Sequence, residues 1–134
     1  MRKYSKAQEA YMLAKAHFET LENQEKELER QYIVKNGIKN PDGSIPERIY
    51  RIEGEDIFNK ANEETAKIAE EIGLWAEILE AREMLKQAEQ NLIDWGMSRV
   101  KKDLPKGAYE TLQRGMKQYK IRQELIALTM KLAV

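Results

Sequence analysis

The chain has 134 residues with 23 basic and 23 acidic side chains, one histidine and no cysteine, so it is neutral overall although 34% of it is charged. That length suits one domain with a real core, and scarce glycine and proline amid abundant charge suit long solvated helices rather than a disordered chain. Disulfides and thiolate metal sites are excluded; Glu9, Lys15 and Glu19 interrupt any apolar signal core, and no apolar run reaches the roughly 20 residues that span a bilayer, so a soluble cytoplasmic protein with no membrane role is expected.

The first helix is expected over about 5–36. Tyr4, Tyr11, Phe18 and Tyr32 fall at multiples of seven, with Ala7, Ala14, Leu21 and Leu28 three places on. Asn36-Gly37 stops it, because glycine accepts the left-handed conformation that closes a last turn. The connector 37–55 contains Asn40-Pro41-Asp42-Gly43, a turn signal flanked by Ile38 and Ile45. A tiny β-hairpin fits there, limited by Pro46. Ile49, Tyr50 and Ile52 then offer apolar groups to the end of the bundle.

A long central helix follows, about 56–102. Ala61, Thr65, Ile68, Ile72, Trp75 and Leu79 make one apolar stripe, with Phe58 at its edge; Leu74, Ile78, Ala81, Leu85, Ala88 and Leu92 make a second, rotated by roughly 130°. The buried face changes near Gly73, where the helix can bend or break. Leu104-Pro105-Lys106-Gly107 turns a corner into the last helix, about 106–132. There Tyr109, Leu112, Met116, Tyr119, Ile126 and Met130 share one face, and Ile121, Leu125, Leu128 and Leu132 lie nearly opposite. The expected fold is all-α: an elongated three-helix antiparallel bundle forming a single domain. The first helix is expected along the N-terminal half of the long one and the last along its C-terminal half, overlapping near Leu74 to Leu85.

Chemistry-bearing constellations are sparse. His17 lacks the glutamate three residues earlier that a ferritin-like metal motif needs, and too few His or Cys side chains exist for zinc. Ser5, Ser44 and Ser98 have no nucleophile-elbow context. Glu63, Glu70 and Glu77, with Glu64 and Glu71 beside the first stripe, read as a solvated face. Gly107 and Gly115 lack phosphate-loop spacing. No catalytic residue, cofactor or metal is expected.

Charge and apolar surplus point elsewhere. Residues 1–46, 47–96 and 97–134 carry about +1, −7 and +6 formal charges. The two opposed apolar faces of the last helix exceed what one neighbour covers, so Ile121, Leu125, Leu128 and Leu132, together with the off-stripe Trp95, are the expected self-association or partner interface. Folding against the first helix is the competing use of those leucines. The leading expectation is a non-enzymatic interaction, accessory or inhibitor protein, homodimeric through its C-terminal helix. The alternative is a nucleic-acid accessory protein using Arg99, Lys101, Lys102, Lys106, Arg114, Lys117 and Lys120 against phosphates.

Overall fold

The computed structural model describes residues 3–101, 105 and 107–133. It is all-helical: α1 is Lys6–Lys35, α2 Glu55–Glu71, α3 Leu74–Val100, α4 Ala108–Gly115 and α5 Tyr119–Met130, with a short 3-10 turn at Ile49–Arg51 between α1 and α2. Among the described residues none forms a strand, so the connector holds a turn without a hairpin ladder. None of these helices is long and apolar enough to cross a membrane.

Local chemistry sets the boundaries. Ser5 caps α1 by accepting the Gln8 amide on Oγ (3.1 Å), while Gln8 Oε1 accepts the Ser5 amide (2.8 Å), a reciprocal capping box. Gly37, at φ 60°, ends the helix. The amides of Gly37 and Ile38 return to the carbonyls of Val34 and Ile33 in a Schellman closure. The expected long central helix is two helices. Gly73 adopts φ 75° between them, which a residue with a side chain rarely tolerates. The expected last helix is likewise divided, because Ile121 of α5 folds onto the bare Cα of Gly115, 3.4 Å from where a Cβ would stand.

The chain forms two compact units, one of Met1–Ala16 with Glu83–Val134 and one of His17–Arg82. In the first unit, Tyr11 joins Ala88, Leu92, Ile93 and Met97 of α3 and Ile126 of α5 in one buried cluster, with Tyr109 and Leu112 of α4 against it. Gln8 is wholly buried. Its Nε2 donates to the carbonyls of Thr129 and Leu132, each at 3.0 Å, holding the end of α5. Opening and closing segments therefore meet over the same part of α3, contrary to the expected division of the long helix between them. The reason is length: a 30-residue α1 spans about 45 Å, enough to reach the α3 residues that α5 also covers.

In the second unit, Leu21 packs with Ala69, Leu74, Ile78 and Ala81. Ile33 packs with Ile49, Ile52 and Ala61. The second predicted stripe thus lies inside, from Leu74 and Ile78 onward. The first does not. Ala61, Thr65 and Ala69 are the buried row of α2, whereas Ile68, Ile72, Trp75 and Leu79 are exposed. Ile68 and Ile72 are already exposed at the end of α2, where Ala69 takes the buried place, and beyond Gly73 the helical phase resets, so Trp75 and Leu79 face outward as well.

Candidate interaction surface

The second unit holds a cleft of about 210 Å³ whose lining includes Leu28 of α1, Ile49 and Tyr50 of the 3-10 turn, Phe58, Ala66 and Ala69 of α2, and Trp75 of α3. Its walls are set by a buried ionic post. Glu29 is nearly enclosed; it accepts hydrogen bonds from Arg48 Nε (3.1 Å), Arg48 Nη2 (2.7 Å) and the Ile49 amide (2.8 Å). Glu25 takes a further contact from Arg48 Nη2 at 3.3 Å. A charge this deep is stable only because a geometrically matched partner and a backbone donor satisfy it. The Glu29 carboxylate in turn raises the Arg48 guanidinium above its ordinary value, against desolvation.

The post fixes the turn. Ile49 and Ile52 point inward, and Tyr50 is left outside at 64% exposure. The guanidinium carbons of Arg48 and Arg51 stand 5.5 and 5.4 Å from its ring centre, which holds the ring by cation–π attraction. Asn40 anchors the other end of the connector, accepting the Glu53 amide on Oδ1 (2.9 Å). Trp75, 45% exposed, completes the rim. Leu79, one turn on in α3, is 59% exposed. Thr65 commits its hydroxyl to the Ala61 carbonyl (2.7 Å), so it adds no free polar group to the lining. The result is a mainly apolar hollow beside two aromatic rings, whose lining also includes Glu25, Glu29, Arg48 and Asn62.

The tail residues singled out from sequence lie in the first unit. On α5, Ile126 and Thr129 face the core, Ile121 and Leu125 are half-buried and Leu128 is 58% exposed; Leu132, just past the helix, is half-buried. Trp95 is half-buried against the core cluster, with the Arg99 guanidinium 5.4 Å from its ring. Gly96 beside it is an intramolecular contact point, since a Cβ there would stand 2.2 Å from Thr129 Cγ2. Arg99, Lys101, Arg114, Lys117 and Lys120 are all exposed; Lys102 and Lys106 lie outside the described residues. The Lys101 ammonium sits 4.9 Å over the Tyr109 ring. Arg122 reaches Gln90 Oε1 at 3.0 Å and Glu89 at 4.0 Å. Burial raises the Glu89 carboxyl, and Arg122 and Lys86 oppose that shift.

Charge divides sharply by unit. His17–Arg82 contains 16 acidic and 9 basic side chains, net −7; the remainder of the chain contains 7 acidic and 14 basic, net +7. No group of three or more His, Asp or Glu among the described residues is arranged to hold a metal ion, and His17 is exposed. No family model, curated protein or solved structure matches this chain.

Sequence reasoning missed Gln8, Glu29 and the exposed Trp75. Ser5-x-x-Gln8 is a capping-box signature and marks Gln8 as more than surface. Glu29 carries no such mark, standing in the charge-dense run NQEKELER. Trp75 lies on the first expected stripe but is exposed, because beyond Gly73 α3 starts with a new helical phase.

Proposed function

We propose that the protein acts by non-covalent binding rather than catalysis, as an accessory or inhibitory factor that holds a helical segment of a polypeptide partner. The observation that carries this is the apolar cleft rimmed by Tyr50 and Trp75. Aromatic side chains held rigidly around a small apolar hollow are the usual anchor points of protein interfaces, and an amphipathic helix laid into such a groove is a recurring mode of recognition. The net charge of −7 on the unit that bears the cleft selects the occupant's chemistry. That occupant is a helix with a large apolar anchor residue and lysines or arginines beside it.

The Trp95→Phe variant leaves Trp75 as the sole indole and so reports on the cleft. Synthetic amphipathic helices with leucine anchors and lysine flanks are expected to shift its emission to the blue, with affinity falling as salt rises. Glutamate-flanked versions should not bind, and Ala66→Phe, which fills the cleft, should abolish the response. An unchanged emission with every lysine-flanked helix would remove the reading.

A second reading rests on the net charge of +7 in the other unit, where Arg99, Lys101, Arg114, Lys117 and Lys120 are exposed. Clustered cations of this kind bind nucleic-acid phosphates with steep salt dependence. A mobility shift on mixed-sequence RNA or DNA that disappears in Lys101→Glu with Lys117→Glu would favour it.

A further inference from the structure

We infer that the helix seated in the cleft is α5 of a second copy of this chain, an assignment that rests on the cleft reading above. Its chemistry meets the cleft's demands. Leu128 is the exposed apolar anchor, Leu125 and Ile121 lie half-buried on the same side of the helix, and the exposed Lys120 and Lys131 stand beside them, with Glu124 the acidic side chain on that face. The opposite side of α5 is already fixed: Ile126 and Thr129 are buried and Gln8 holds the terminal carbonyls. The outward face is therefore preformed, and little ordering entropy is lost on docking. The donor unit carries +7 and the receiving unit −7, so the encounter is attractive at long range. Each copy has one cleft and one α5, and two copies satisfy both surfaces by exchanging them.

Light scattering coupled to size exclusion tests this on the full chain. At low salt the protein should elute as a dimer, with the dissociation constant rising as salt increases. Ala66→Phe blocks the cleft and Leu128→Glu disables the tail; each alone should be monomeric. Mixed in equal amounts they should recover a dimer at submillimolar concentration, weaker than wild type, because the intact cleft of one variant accepts the intact α5 of the other and one of the two contacts remains. Lys120→Glu with Lys131→Glu, both at exposed sites, should weaken the wild-type dimer roughly tenfold without touching packing.

Failure of the mixture to dimerise, or a dimer that survives Ala66→Phe, would overturn the assignment. So would a wild-type monomer at submillimolar concentration. If lysine-flanked peptides still shift Trp75 emission in that case, the cleft reading stands and only the second copy is wrong. Silence in both experiments removes both.

Discussion

Arg48→Met tests the ionic post on which the cleft depends. The substitution keeps most of the apolar stem but deletes two charge-assisted hydrogen bonds to Glu29, at 3.1 and 2.7 Å. Glu29 then retains the Ile49 amide at 2.8 Å as its remaining donor. The Glu29 side chain is only 11% exposed and that of Arg48 21%, so solvent replaces little of what is lost. Breaking one side of a buried pair costs about 3–5 kcal/mol; the surviving amide bond and the partial exposure bring the expectation to about 2–3 kcal/mol. Urea unfolding followed by Trp75 emission in the Trp95→Phe background reads this out. Glu29→Gln alone should cost less, since its amide oxygen still accepts from Ile49. Combined with Arg48→Met it should show a coupling of about 1–2 kcal/mol. Strict additivity, or an Arg48→Met loss below about 0.5 kcal/mol, would refute the post and with it the fixed position of Tyr50.

Other perturbations address separate links. Gln8→Ala removes the Nε2 hydrogen bonds to the Thr129 and Leu132 carbonyls and opens a small cavity, so unfolding followed by Trp95 emission in a Trp75→Phe background should show a loss of about 2–3 kcal/mol. Gly96→Ala drives a methyl against Thr129 Cγ2 and should cost about 1–3 kcal/mol; Thr129→Ser removes that methyl, keeps the hydroxyl bond to Ile126 (2.8 Å), and should recover part of the loss. Burial, then the hydrogen bond to the Glu64 carboxylate, pushes the Tyr32 phenol up to about 12. The folded state thus holds this proton more tightly than the unfolded chain, where the phenol titrates at about 10. The stabilisation is complete below pH 10 and is lost as pH rises through 12. Phenolate absorbance should show one late-titrating tyrosine, and Tyr32→Phe should remove both that step and the slope of stability over the same window.

What could be read from the sequence follows the reach of each physical signal. The all-helical class, the stop at Gly37 and the second apolar row from Leu74 to Leu92 were legible because they depend on local conformation and on spacing within one unbroken helix. The first row failed already at Ile68 and Ile72, and again beyond Gly73 at Trp75 and Leu79. Glycine at φ 75° changes the direction of the chain, and nothing in a periodicity plot reports which way. Ser5-x-x-Gln8 carries a capping-box pattern that sequence reasoning missed, and the second role of Gln8 at the end of α5 spans more than a hundred residues and has no local trace. Glu29 stands in a charge-dense run with nothing local to mark it. Its burial becomes evident only when Arg48, nineteen residues on, returns to it. The outer leucines of α5 were picked out from sequence, whereas the cleft opposite in charge needed the turn at Ile49–Arg51 to take shape.

Isotope-filtered NOE spectroscopy on a sample mixed from labelled and unlabelled copies tests the docking most directly. Cross-copy contacts between the Trp75 indole and the Leu128 methyls are the predicted result. Cross-copy contacts confined to α5, with the indole silent, would contradict it.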